Sequence, residues 1–160
     1  MIKLNEIQAK YGEYFVDEDK LKELLVKPEP KTVWDLKDGD KYYLINHYGG
    51  VIQCTWDGSE YDLARREYGK AFLTYEEVKF EEGRRKCEAT MLKYGRRLFK
   101  YNRDNYLLRF NNNDEKVEVG FWSIYQFQGS IYFDTKELAQ KAIDEIGEER
   151  LKKYVFRVEE

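Results

Sequence analysis

The chain has 160 residues, 42% apolar, 37% charged and 16% aromatic, with a formal net charge of −3. This is enough apolar material for one compact domain, or two small halves, and no run is long or apolar enough to cross a bilayer, so no membrane partner is expected. The N-terminal stretch MIKLNEIQAK carries acidic and amide residues where an export signal needs an apolar segment, so the expected location is the cytosol.

Leu4 to Lys10 has helical character and is stopped at Tyr11-Gly12; Glu13 to Val16 reads as a brief extended piece. Asp17 opens a second helix, with an acid at its cap and Leu21, Leu24 and Leu25 on one face. Pro28 and Pro30, in KPEPK, end it and form a short extended linker. Residues 1–27 are therefore expected to be a helical N-terminal arm, followed by an α+β domain over 33–160 made of two similar halves, about 33–95 and 96–160.

Val33-Trp34-Asp35-Leu36 reads as a strand or turn entry before Asp38-Gly39, a tight-turn pair. KYYLIN (41–46) and VIQCTW (51–56) alternate as the two strands of a hairpin around His47-Tyr48-Gly49-Gly50. Asp57 to Asp62 makes a further turn, and Leu63 to Tyr68 is either a helical turn or an irregular loop.

The organising stretch is GKAFLTYEEVKFEEGRRKCEATMLKYG, residues 69–95. Thr74 and Glu77 have capping-box spacing, so a long helix is predicted to start there. Phe80, Gly83, Cys87, Met91 and Tyr94 form its apolar stripe. Glu81 with Arg85 and Glu82 with Lys86 stand at i,i+4, ordinary helix decoration. Gly83 is either a close helix approach or a weak point. After Gly95, runs at 96–101, 105–110, 116–128 and 131–133, separated by Asn- and Gly-rich turns, predict an antiparallel meander. The motif F-x-T-x-E then recurs: Phe133-Asp134-Thr135-Lys136-Glu137 echoes Phe72-Leu73-Thr74-Tyr75-Glu76. Asp134 with Glu137 repeats the cap spacing, Gly147 supplies a left-handed C-terminal cap, Glu148 to Lys153 adds a helical turn, and Tyr154 to Val158 is read as a closing strand. The fold class is α+β, with antiparallel hairpins and two capped helices in a weak hairpin-plus-helix repeat.

Charge is segregated. Residues 1–83 hold 12 basic and 18 acidic side chains, residues 84–109 hold 9 and 2, and residues 110–160 hold 7 and 11. In the basic island, Arg84, Arg85, Lys86, Arg96, Arg97, Lys100, Arg103 and Arg109 are interleaved with Tyr101, Tyr106, Tyr94 and Phe99. That mixture suits single-stranded nucleic acid, a protein partner, or plain pairing with acids of the N-terminal half. Asp57, Glu60 and Asp62 lack the calcium-loop pattern and read as surface turn acids. His47 is the only histidine, which removes paired-histidine zinc sites and most nucleophilic relays; as a hairpin-turn residue it is expected to be exposed. Asp17-Glu18-Asp19 with Asp35, Asp38 and Asp40 could imitate phosphates toward a basic groove. Cys54 and Cys87 are expected to be buried thiols, one in a strand and one in a helix, over a disulfide or a reactive site. No cofactor motif is found, and an enzyme is not expected. An exposed edge strand would pair two copies, so nothing forbids a homodimer.

The stretches IKLNEIQAKYGEY, VWDLKDGDKYYLI, GKAFLTYEEVKFEEGRRK and IYFDTKELAQKAIDEIGEERLKKYVF together resemble a group of small proteins carried by phages and prophages of Gram-positive bacteria. The resemblance covers nearly the whole chain, and the group has no established catalytic residues to carry over. It implies a protein of the host cytosol that binds rather than catalyses. The expected function is inhibition of a host defence protein or ribonucleoprotein, such as a CRISPR effector, as anti-CRISPR and other anti-defence proteins do. The alternative read from the residues is a nucleic-acid-binding module using 84–109.

Overall fold

The computed structural model describes residues 4–12 and 29–158. The chain divides into two compact units, Met1–Lys31 and Thr32–Glu160. In the first, helix α1 spans Leu4–Tyr11; the extended piece at 13–16 and the second arm helix from Asp17, including Asp17-Glu18-Asp19, lie outside the described residues.

The second unit is α+β. Its first element is a 3-10 turn, Val33–Asp35, where the sequence suggested a strand or turn entry. Thr32 decides this locally. Its hydroxyl accepts from the Trp34 N–H (3.3 Å), while the Asp35 carboxylate accepts from the Thr32 N–H (2.9 Å), a capping box that satisfies the free donors of the turn. Strands β1 (Lys41–Ile45) and β2 (Val51–Thr55) pair antiparallel, Tyr42 opposite Cys54 and Leu44 opposite Ile52. The Asn46 side chain closes their turn by accepting from the N–H groups of Tyr48 and Gly50, both at 2.9 Å. Helix α2, Glu60–Glu67, starts earlier than the sequence suggested and takes in Asp62. Leu36, Tyr42, Leu44, Trp56 and Ala71 form the core under this hairpin.

Helix α3 runs from Tyr75 to Tyr94, with the expected capping box: Thr74 accepts from the Glu77 N–H and Glu77 accepts from the Thr74 N–H. Strands β3 (Asn105–Asn111) and β4 (Lys116–Trp122) pair antiparallel from Asn105 opposite Trp122 to Asn111 opposite Lys116. The meander is shorter than expected: beyond this hairpin only Arg96–Tyr132 and Tyr106–Phe133 form bridges. Helix α4 covers Lys136–Ile146 and a single turn, α5, covers Glu148–Leu151. Cys87 and Met91 of α3, Leu108 and Val117 of the hairpin, Phe133, and Ala139, Ala142, Ile143 and Ile146 of α4 make the larger core. Both cysteines are free; Cys87 is buried as expected, whereas Cys54 on the two-stranded hairpin is only half-buried.

The F-x-T echo does the same work twice. Phe72 exchanges backbone hydrogen bonds with Tyr43 of β1 (2.8 and 2.9 Å), and Phe133 exchanges them with Tyr106 of β3 (3.1 and 2.7 Å). In each case the threonine two residues on caps the helix that folds back over the hairpin. The second cap is Thr135, accepting from the Leu138 N–H, and not Asp134 as the cap spacing suggested. Asp134 is instead drawn away by Arg96 and Lys100.

The C-terminal stretch is also corrected. Lys152–Phe156 is a π-helical turn, not a strand. The wide turn keeps Tyr154 against α3, where Gly83 leaves room: a Cβ at position 83 would come within 2.3 Å of the Tyr154 ring. Gly83 is therefore a close approach to a side chain of this turn. Gly147 has the positive φ expected of it (+88°), but its ψ of 140° makes it an extended corner between α4 and α5 and not a left-handed helical cap.

Candidate interaction surface

The basic island begins on α3 with Arg84, Arg85 and Lys86. All three face carboxylates of their own helix: Arg84 to Glu81 (2.6 Å) and Glu88 (3.0 Å), Arg85 to Glu81 (2.8 Å), and Lys86 to Glu82 (2.5 Å). Glu88 also takes Arg97, which ties the loop after α3 back to the helix. Arg96 and Lys100 meet on Asp134, each at 2.9 Å, and Arg109 pairs across the hairpin with Glu118 at 2.8 Å. Every cation of the island except Arg103 thus has a carboxylate partner among the described residues. The partners come from α3, β4 and Asp134 before the second helix cap; Glu81 and Glu82 belong to the acidic stretch 1–83, whereas Glu88, Glu118 and Asp134 do not.

Titration directions follow from these contacts. Arg84 holds the Glu81 carboxyl below its ordinary range, against burial and with help from Arg85. At Glu88 burial pushes upward, but Arg97 and Arg84 outweigh it and the net shift is down. Lys100 and then Arg96 lower Asp134.

Asn105, which the sequence did not single out, organises the loop that carries Arg96 to Arg103. Fully buried at the start of β3, it donates to the carbonyls of Lys100 (2.8 Å) and Arg103 (2.9 Å) and accepts from the Lys100 N–H (2.9 Å) and the Arg96 guanidinium (3.0 Å). The loop is held from inside, and its tip stays outside: Tyr101 is 82% exposed and Arg103 is exposed. Tyr106 lies elsewhere, half-buried against the larger core and tilted on Phe121.

The other candidates separate. His47 is exposed and stacks on Tyr48 at the turn end of the first hairpin, while Asp57 follows β2 at the open end. Asp62 is not a surface acid. It is buried, accepting from the Tyr42 hydroxyl (2.6 Å), the Asp57 N–H (2.8 Å) and Arg65 (3.2 Å). Burial, and then the bond to Asp62, push the Tyr42 phenol upward. Asp35 and Asp40 accept from the nearby backbone N–H groups of Thr32 and Lys37. Among the described residues no group of His, Cys, Asp and Glu is arranged to hold a metal ion, and no helix is long and apolar enough to cross a membrane. A cleft of about 340 Å³ beside Leu107 and Leu108 has Arg84 and Glu88 on its wall, but these two are paired with each other.

A different surface stands out. Residues 119–133 contain no charged side chain in a chain that is 37% charged. Inside that run Phe121 (59%), Ile124 (80%), Tyr125 (62%) and Phe127 (43%) are exposed, with Trp122 at 39%. Trp122 sits between Tyr125 and Phe127, ring centroids 6.0 and 5.6 Å away. The buried Tyr132 hydroxyl fixes the loop, accepting from the Phe127 N–H (2.7 Å) and donating to the Phe127 carbonyl (3.0 Å). Through Phe99, which touches both Tyr132 and Tyr101, the cluster connects to the exposed loop tip. Large exposed apolar side chains held in place are the features of an interaction surface. The charge gap at 119–133 was visible in the sequence; which of its side chains point outward was not.

Comparison with protein-family models, with curated proteins and with solved structures finds no match for this chain.

Proposed function

We propose that this is a non-catalytic binding protein that acts by covering a surface of another protein, with Trp122, Tyr125 and Phe127 as its anchor. The carrying observation is the exposed, internally fixed aromatic cluster inside an uncharged run, since Trp and Tyr anchors with little mobility to lose supply most of the affinity in protein interfaces. The separation of His47 from the Asp57 and Asp62 end of its hairpin, and the commitment of Asp62 to Tyr42, support a role without catalysis.

The resemblance to phage- and prophage-encoded proteins supports a target among host defence proteins or ribonucleoproteins such as CRISPR effectors, with action in the host cytosol. The test is the activity of candidate effectors with excess protein, wild type against Trp122→Ala/Tyr125→Ala. Inhibition by the wild type that the variant loses, with its thermal unfolding retained, is expected. Full effector activity at excess wild-type protein, with no effector retained on the immobilised chain, would overturn the reading.

A nucleic-acid reading keeps one specific support, the exposed pair Tyr101 and Arg103 at the loop tip. The rest of the basic island is neutralised by neighbours, which reduces the net field that draws phosphates. Arg103→Glu is the clean probe, because Arg96 is engaged with Asp134 and Asn105 and its reversal would disturb the fold. Salt-sensitive retardation of a single-stranded oligonucleotide that Arg103→Glu abolishes would establish this reading.

A further inference from the structure

In an antiparallel ladder the N–H and C=O of one residue point to the same side, and that side alternates along the strand. Tyr106 directs both groups away from β4, onto Phe133. Leu108 and Phe110 on β3, and opposite them Phe121, Val119 and Val117 on β4, must therefore also point away from the hairpin partner. Val117 agrees with this assignment, since its outward N–H donates to the Glu148 carboxylate at 3.1 Å. Val119 and Phe121 come next along the same edge. Among the described residues nothing hydrogen-bonds their outward backbone groups.

An edge strand of this kind pairs with other chains unless lysines, prolines or inward charges guard it. The Val119–Trp122 end of this edge has none of these, since from Val119 to Phe133 there is no charge and no proline; Lys116 and Glu118 stand at the other end of β4, beside the Val117 bond to Glu148. We infer that the β4 edge is covered by the β4 edge of a second copy, antiparallel about a two-fold axis at Gly120, with Val119 of each copy opposite Phe121 of the other. The register follows from which groups are open, because this pairing uses both open residues on both copies and leaves the Val117 bond to Glu148 intact.

The choice of a second copy rests on charge. In a two-fold interface the central residues meet their own equivalents, so any charge there faces its like. A run with no charge at all meets that requirement, whereas a surface selecting a different partner is free to use complementary charges, as interfaces commonly do. The pairing would extend each hairpin into one continuous sheet in the order β3-β4-β4-β3, and small sheets gain stability from added strands. It would also place the two Trp122 clusters side by side on one face. The inference uses the backbone edge and not the aromatic faces, so it stands or falls separately from the proposed partner surface.

The experiment is sedimentation equilibrium of the full chain across the micromolar range, for wild type, Val119→Pro and Phe121→Lys. Proline at 119 removes an outward N–H that the β3-β4 ladder does not use, so the hairpin can tolerate it; lysine at 121 adds the missing guard. The expected result is a wild-type dimer that dissociates on dilution and a monomer for each variant that retains the wild-type circular dichroism. A wild type that is monomeric at the highest concentration, or a folded variant that remains dimeric, would overturn the inference. If Val119→Pro fails to fold, Phe121→Lys decides alone. Loss of dimer with effector inhibition unchanged would leave the proposed function intact.

Discussion

Replacing Gly83 by alanine ought to stabilise a helix, and here it should do the opposite. An alanine in a helix interior is favoured over glycine by about 1 kcal/mol. At position 83, however, the new Cβ would overlap Cε1 and Cζ of Tyr154 and lie 2.7 Å from its Cδ1. Carbon atoms rest at about 3.5–4.0 Å, so the ring must move by roughly an ångström or more. It is not free to do so, since it packs on Phe80 at 5.5 Å and sits in the π-helical turn that follows α5. Overpacking of this kind costs about 1–3 kcal/mol, and overlap with ring atoms belongs at the upper end, leaving a net loss of up to about 2 kcal/mol after the helical gain. At about 2–4 °C per kcal/mol, the midpoint should fall by up to about 8 °C. The assay is thermal and urea unfolding followed by circular dichroism, for Gly83→Ala in the wild type and in a Tyr154→Ala background. With the ring gone the same substitution should become stabilising, by up to about 1 kcal/mol. Destabilisation of equal size in both backgrounds, or stabilisation in both, would refute the reasoning, because only the ring distinguishes them.

Asn105→Asp puts a carboxylate against the carbonyls of Lys100 and Arg103 and removes two donors; a loss of about 2–3 kcal/mol in urea unfolding is expected, with the loop at 96–104 becoming sensitive to protease. Thr135→Ala should cost about 1 kcal/mol of stability as the loss of a helix cap; an unchanged midpoint would return the capping role to Asp134. Glu81 and Asp134 have folded pKa values below their unfolded ones, so the stability they contribute is present above about pH 4 to 5 and is lost as pH falls through the folded values. A Glu81→Gln/Asp134→Asn variant should therefore show a flatter decline in melting temperature from neutral pH to pH 3, and a slope parallel to the wild type would count against these pairs.

How the sequence relates to the fold is clearest at the two F-x-T-x-E motifs. A threonine with a glutamate three residues on satisfies free N–H groups using only local atoms, so the start of α3 was legible from its residues. The same local rule misassigned the second cap. Asp134 and Thr135 are both capping residues, and the choice between them was made by Arg96 and Lys100, distant in sequence, which hold the aspartate outward. Residues Tyr154 to Val158 were misread for a related reason: their aromatic and β-branched composition suits a strand, but Tyr154 is held against the space that Gly83 leaves.

The charge island shows the same division. Its composition was plain, and the i,i+4 partners of Arg85 and Lys86 were predictable because helix geometry sets them. Arg84 with Glu88 follows the same i,i+4 rule, and Arg97 reaches Glu88 because the chain turns back after α3, but the sharing of Asp134 between Arg96 and Lys100 required segments 38 and 34 residues apart to be brought together. The sequence by itself determined the α+β class, the hairpin of β1 and β2, the start of α3 and the absence of charge from 119 to 133. Only the tertiary structure decided that Asp62 is buried, that the island is neutralised, and that Trp122, Tyr125 and Phe127 face outward beside an open strand edge. Caps, turns and periodicity depend on neighbours a few residues away, whereas burial and pairing depend on contacts that exist only once the chain has closed on itself.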